Sequence, residues 1–437
     1  LYDGQWSNVM VMRLLDGDRV CIVGGGPAGS FAALHLLRRM RATGLDLEVL
    51  VFEPRDFSMP GPGGCNRCAG ILSTSLLRGL DDLDLELPTD VVQAELTSYS
   101  LHLDDDLISI SRPDPSRRIV STYRGGGPRL STGEGVASFD AFLLNQAIER
   151  GATHIPDRVH SIEPGQRPLL RTIHERYQAD LVILATGVNS RPPLAEDFGY
   201  VRPKTAIMAQ DEFMRPQAWP EERVSAYFDR PPGLIFGVLI PKGRYINVSL
   251  LGKNMSRDAV NEFLEAQRLG EFLQSQPKSL CGCTPRIAVS PARHYFGDRW
   301  VAVGDAAVTR LYKDGIGSAF STAKVAVESA MDGGVSAQAF RRRYGPFCRG
   351  IARDNRYGRL LFSLWDQVLT QPSIRKIWVR MLHLEEDLPP KDRVHSRIIW
   401  GMLTGDEAYR DLFYLSFSLR TLWGMWRTWA KMAWSRI

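Results

Sequence analysis

Apolar and polar positions follow three rhythms along the 437-residue chain. Residues 19–23 and 47–52 are short, continuous apolar runs, the pattern of parallel strands covered on both faces. Between them, a glycine-rich turn leads into an alanine- and leucine-rich stretch ending near Met40, so the segment predicts strand, turn, helix, strand. Residues 180–185 and 300–303 predict further buried strands, and 139–150 and 315–330 predict helices. Acidic clusters at 81–86 and 104–106 accompany alternating runs that suggest an inserted sheet. From 192 to 285 alternation dominates, most clearly at 234–240 and 245–251, and beyond Ala337 the spacing is helical throughout. Neither an internal repeat nor a low-complexity tract interrupts this order.

The turn after the first strand carries Gly24, Gly26 and Gly29 in GxGxxG spacing, with Pro27 and Ala28 opening the helix. The first glycine permits the tight turn, the second lets a pyrophosphate approach the backbone, and the third packs helix on strand. Glu53 ends the second strand, where a carboxylate accepts hydrogen bonds from adenosine ribose hydroxyls, and Arg55 follows it. Two later motifs turn the expectation from NAD toward FAD: Gly187 closing DLVILATG, and Asp305 in Gly-Asp-Ala-Ala, placed to meet a ribityl chain. Gly315, Ile316 and Gly317 then open a helix whose positive end suits the pyrimidine edge of a reduced flavin. The expected fold is therefore α/β, a Rossmann-type FAD-binding domain with an inserted sheet-rich substrate domain and a helical C-terminal region. The FAD-binding domain is discontinuous, over 16–75, 131–190 and 285–335; the substrate domain takes 76–130 and 191–284, and the helical region 336–437.

Charge adds little: 54 basic against 49 acidic residues leave a net +5, and no nucleic-acid partner is expected. Six cysteines are too few for a disulfide-stapled scaffold and predict a reducing, cytoplasmic setting. Residues 1–18 show no secretion-signal pattern, and no run is apolar and long enough to span a bilayer. Cys65 and Cys68 form a CxxC, Cys281 and Cys283 a CxC. Several readings stay open for these four. They suit zinc or an iron–sulfur cluster, a dithiol relay with Arg67 lowering a thiol pKa, or plain packing in tight loops. Cys68 is also a candidate proton donor. Cys21 belongs to the first strand's core, and Cys348 has no partner at motif spacing. Tyr312 and Lys313, with Asp314, fall between the aspartate motif and the Gly315 helix, where a lysine can hold flavin charge and a tyrosine can give a proton. The alternative is a solvated charge pair.

Residues 412–434 project as one amphipathic helix, with Arg420, Arg427 and Lys431 on a stripe, Leu415, Leu419, Leu422, Met425 and Trp429 opposite, and Trp423 and Trp434 at the flanks. Such a helix closes the protein's own core, docks on a membrane-complex partner, or lies peripherally at the inner face of a membrane.

The motifs above, joined by Gly70-Ile71-Leu72-Ser73 after a cysteine, Phe139-Asp140 heading a helix, and Pro241-Lys242-Gly243 with Asn247-Val248, resemble the geranylgeranyl reductase family. That family sits within the flavoproteins that include para-hydroxybenzoate hydroxylase and electron-transfer-flavoprotein:quinone oxidoreductase, and the likeness spans about residues 19–335. The resemblance implies hydride delivery from flavin N5 to a carbon–carbon double bond of an isoprenoid or other lipid-like substrate, with NAD(P)H as electron donor. Three departures stand out: Val136 where the family has arginine, Leu234, Phe236 and Val238 where it has aromatic residues, and TRLYKD at 309–314 in place of a proline-containing loop. Alternatives are a flavin monooxygenase or halogenase, and an electron-transfer subunit passing electrons between a cysteine-bound cluster and quinone.

Overall fold

The computed structural model describes residues 12–67, 69–103, 106–131, 135–228, 233–253, 255–269 and 279–434. Arg19–Val23 pairs in parallel with Glu48–Phe52 on one side and Leu181–Leu184 on the other. Thr153–Ile155 and Trp300–Ala302 extend the sheet outward, and Phe296–Gly297 adds an antiparallel edge. Val20, Ile22, Val49 and Val51 face three helices, Pro27–Thr43, Phe139–Glu149 and Gly315–Gly333. Cys21, Val23, Leu50 and Phe52 face the antiparallel meander formed by Ser161–Glu163, Leu169–Arg171 and Arg176–Gln178. Both faces are thus dry, which is why these strands read as unbroken apolar runs. A fully buried side chain such as Ile22 contributes about 2 kcal/mol by leaving water.

A seven-stranded sheet forms the second layer, ordered Arg286–Ala288, Thr205–Met214, Tyr245–Gly252, Leu234–Lys242, Arg223–Tyr227, Ser98–Leu103, Asp106–Ser111. Asp104 and Asp105, from the acidic cluster at that last hairpin, lie outside the described residues. Ile71–Leu72, Val120–Thr122 and Val92–Glu95 make a small third sheet. The outer face of the large sheet carries Leu239, Val248 and Leu250 and is covered by the helix Ala259–Ala266, within the region expected to be sheet-rich. Its inner face divides in two. Phe236, Val238 and Ile240 join Tyr99 and Leu101 in an apolar half that packs on the C-terminal helices through Trp365, Trp378 and Trp400. The other half is polar.

The C-terminal region corrects the sequence reading. Residues 412–434 are two helices, Tyr409–Ser416 and Leu419–Trp434, because Thr421 and Ser418 hydroxyls bond each other and Thr421 Oγ1 donates to Leu415 O, turning the chain at Phe417. The face packed inward is Thr421, Gly424 and Thr428, with Met425 beside it; a Cβ on Gly424 would sit 2.9 Å from Met381 Cε. Leu419, Leu422 and Trp429 are exposed, so the helix does not close the core through its apolar face. The side chains of Lys431 and Trp434 lie outside the described residues. Among the described residues no helix is long and apolar enough to cross a membrane.

Candidate functional site

The glycine turn sits at the carboxyl ends of the first and second strands. Gly24 has φ +106°, and a Cβ there would lie 2.6 Å from the Ala185 carbonyl oxygen. A Cβ on Gly29 would collide with the Gly24 carbonyl oxygen, so helix and strand pack only through hydrogen. Gly26 is the extended residue before the helix, with Pro27 and Ala28 in its first turn. No side chain caps this end and no acid lies in that turn, which leaves its dipole available to an anion. Gly187 closes the neighbouring strand, and the Thr186 hydroxyl before it is buried without a hydrogen-bond partner among the described residues. These features fit a dinucleotide pyrophosphate.

Glu53 is buried where the second strand ends. Its Oε2 accepts from the Gly25 amide (3.1 Å) and from an Arg55 guanidinium nitrogen (3.1 Å), its Oε1 from the Arg55 amide (3.1 Å) and Nε (2.9 Å). All four lone-pair positions are in use. Ribose hydroxyls would therefore reach Glu53 by displacing the half-buried Arg55 guanidinium, which also lies over the Phe57 ring and donates to Asn66 Oδ1 at 2.6 Å. Asn66 in turn bonds Asp140, which Arg124 holds in a two-pronged bridge at 2.8 and 2.9 Å. Arg124 thus brings a guanidinium to this groove, while Val136 packs with Tyr123, Tyr245 and Leu280. The chain of side chains Glu53, Arg55, Asn66, Asp140, Arg124 ends near Asp305. Burial raises the Asp305 carboxyl above its ordinary value, while Arg124 and Thr309 pull it down.

Only one of the three residues opening the next helix borders Asp305. A Cβ on Gly315 would lie 3.7 Å from Asp305 Oδ1; Ile316 is core, and Gly317 faces the Asp314 carboxylate. Asp314 accepts from Ser73 Oγ at 2.8 Å, and burial pushes it up to about 6. Lys313 and Asp314 are not a solvated pair. Lys313 Nζ sits 3.8 Å from the centre of the Phe236 ring, at the apolar half of the sheet, and desolvation lowers it to about 7. Tyr312 packs edge to face on Phe362 of the long helix Tyr344–Thr370. The Lys313 shift has a checkable sign. Folded protein binds fewer protons there than unfolded protein between pH 7 and the ordinary 10.5. Stability of the wild type relative to Lys313→Met should therefore rise as pH increases across that window, as thermal unfolding against pH will show.

The cysteines separate into two groups. Cys21 and Cys348 are buried in the core. Cys65 lies close enough to Cys281 and Cys283 to raise both, and Cys281 raises Cys283 further, whereas Cys68 lies outside the described residues. Burial is the dominant effect: it raises Cys65, and takes Cys281 to about 11 and Cys283 to about 12. Arg67 does lower two thiols, donating its amide to Cys65 Sγ at 3.2 Å and acting on Cys283 by charge, but burial outweighs it and leaves both thiols protonated at neutral pH. The described cysteines are free, and the described residues contain no group of three or more side chains placed to hold a metal ion.

The polar half of the inner sheet face meets these loops. Lys242 is 1% exposed; its Nζ lies 3.6 Å from Glu212 Oε1 and 4.2 Å from the centre of the Tyr123 ring. Asn247 Nδ2 donates to Glu212 Oε1 (3.4 Å), Ser249 Oγ to Asn247 Oδ1 (2.6 Å), and Gln210 Nε2 to Ser249 Oγ (2.8 Å). Gln210 Oε1 then lies 3.9 Å from Cys283 Sγ. On the far side of the strand, Asp211 Oδ1 accepts the Cys281 and Gly282 amides at 3.1 and 2.9 Å and pins their loop. Tyr123 and Tyr245 hydroxyls are buried without hydrogen-bond partners among the described residues. Burial raises Glu212, against the pull of Lys242. Of this patch, only Lys242 and Asn247 belong to sequence motifs. The available signal for Gln210 and Glu212 was the polar run Gln210-Asp211-Glu212 within a mostly apolar strand, whose first and third members share one face.

No family model and no curated protein matches the chain. Solved structures do. A geranylgeranyl bacteriochlorophyll reductase-like protein from Thermoplasma acidophilum superposes with a TM-score of 0.65 at 16% identity, covering 92% of this chain and 100% of that one. A flavin-dependent halogenase gives 0.59 at 17% identity over 92% of this chain and 77% of its own. A 2-methyl-3-hydroxypyridine-5-carboxylic acid oxygenase gives 0.58 at 17%, over 77% and 88%. At these identities the likeness concerns architecture, and the chain has the fold of the FAD-binding flavoproteins: a Rossmann-like parallel sheet, a sheet-rich layer and a helical C-terminal region.

Proposed function

We propose that the protein is an FAD-dependent oxidoreductase that reduces a carbon–carbon double bond of an isoprenoid or other lipid-like substrate, with NAD(P)H as electron donor. The observation that carries this reading is the divided inner sheet face, where a buried polar patch around Lys242 and Glu212 adjoins an apolar wall of Phe236, Val238 and Ile240. When bound, the flavin would supply the hydride. Gly24, Gly26, Pro27, Ala28, Gly29 and Gly187 would hold the pyrophosphate end, Glu53 and Arg55 the adenosine, and Asp305 with Gly315 the ribityl and ring end. Arg124 keeps Asp140 and Asn66 in place along that groove. The apolar wall, filled by Trp365, Trp378 and Trp400 of the C-terminal helices, excludes water from that side of the patch. Burial keeps the Cys65 thiol protonated, so it is available to give a proton to the second alkene carbon but not to attack as a thiolate. Cys68, three residues along the chain, would be a second donor.

A flavin oxygenase or halogenase is the second reading, favoured by the shared architecture with the halogenase and the oxygenase. Anaerobic mixing with NADPH should bleach the flavin, and a polyprenyl alkene should restore its colour with formation of the saturated product. Colour restored only by oxygen, with a halogenated or hydroxylated product, would favour the second reading; absence of bleaching would exclude NADPH as donor.

A further inference from the structure

The helix Leu419–Trp434 is packed the wrong way round for a core-closing element. Its small, polar face, Thr421, Gly424 and Thr428, lies against the protein, where Thr428 Oγ1 donates to Met381 Sδ at 2.7 Å. Its large apolar residues point outward: Leu419 is 87% exposed, Trp423 62%, Trp426 55% and Trp429 56%. Leu422 and the preceding Phe417 continue the same surface. Trp423 and Trp426 stack on each other at 4.9 Å and are both more than half exposed. Leaving so much aromatic surface exposed on one short helix forgoes several kcal/mol of burial and marks an interaction surface.

The charge of the segment selects the occupant. Residues 419–434 contain Arg420, Arg427 and Lys431 and no acidic residue. At 100° per residue, those three positions lie on one stripe along the rim of the exposed apolar face. A second copy meeting this helix across a two-fold axis would bring two such basic rims together, which costs Coulomb energy. An anionic bilayer surface complements both features, since tryptophan favours the headgroup boundary and arginine and lysine meet lipid phosphates. We propose that this helix docks the protein on anionic lipid surfaces, lying in the interface with its Trp423–Trp426–Trp429 face down. The proposal stands on the helix alone and does not depend on the reaction catalysed.

The test is flotation of the full-length protein with phosphatidylglycerol vesicles and, separately, phosphatidylcholine vesicles, together with light scattering to measure oligomeric state. The wild type should float with phosphatidylglycerol, weakly with phosphatidylcholine, and less as salt is raised. Trp423→Ser with Trp426→Ser should weaken binding by more than about tenfold. Arg420 already holds Asp392 at 2.7 Å, so Arg427 is the cleaner charge probe. At about fivefold per charge, Arg427→Glu should cost about 25-fold on phosphatidylglycerol and little on phosphatidylcholine. Unchanged thermal unfolding in these surface variants separates lost docking from lost folding. Failure of the wild type to float with phosphatidylglycerol, equal binding by the variants, or a wild-type dimer that the tryptophan pair converts to monomer would each overturn the proposal.

Discussion

Gly29→Ala is expected to destabilise the protein by about 3 kcal/mol and to yield preparations that lose most of their FAD. The added methyl has nowhere to go: it meets a backbone carbonyl, Gly24 O, rather than a movable side chain, so the helix Pro27–Thr43 must shift off the first strand. That shift moves the uncapped helix end away from the turn that would hold the pyrophosphate. Thermal unfolding and FAD affinity, measured on the same preparation, check both halves. A variant with wild-type stability and affinity would mean that helix and strand are less tightly coupled than the structure shows. Gly44→Ala is a useful contrast, because that glycine caps the far end of the same helix at φ +72° with no atom within 4 Å of its Cβ position. It should cost only about 1 kcal/mol and leave flavin binding intact.

The second large effect lies at Lys242. Lys242→Met strands the Glu212 carboxylate in a buried site and should cost about 3 kcal/mol at pH 8. The loss should shrink toward pH 5. Burial already raises Glu212, and without Lys242 nothing but Asn247 opposes that rise, so the folded variant binds a proton that the unfolded chain has released. Stability of the variant therefore falls as pH rises. Lys242→Met combined with Glu212→Leu should recover most of the stability, since an apolar pair of similar volume removes both desolvation costs. If the patch serves the reaction, that double variant will fold and hold FAD yet turn over poorly. A double variant as unstable as the single one would show that the two residues do not act as a pair.

What could be read from the chain follows from how local each feature is. The turn from Gly24 to Gly29, the buried strands on either side of it and Glu53 are all encoded within one strand–helix–strand unit, where burial on both faces writes a continuous apolar run. The polar patch was not legible in the same way. Gln210, Glu212, Asn247, Ser249 and Lys242 come from three strands, and only their register puts them on one face. Arg124 escaped notice because its link to Asp140 depends on Tyr123 bridging to Ser138, a long-range contact with no motif around it. The cysteine spacing pointed toward thiolate chemistry, but spacing carries no information on desolvation, which decides the ionisation of Cys281 and Cys283. The last helix shows the same limit. Periodicity identified its basic and apolar stripes, while the choice of inward face was made by Thr421, Gly424 and Thr428, small enough to let the backbone approach Met381.

The central claim is that the glycine turn, Glu53 and Asp305 form an FAD site, and an absorption spectrum of the purified protein, followed by titration with FAD if it is colourless, tests it most directly. The expected result is a flavin spectrum, or saturable uptake of one FAD per chain that Gly29→Ala abolishes. A colourless protein that takes up no added FAD would contradict it.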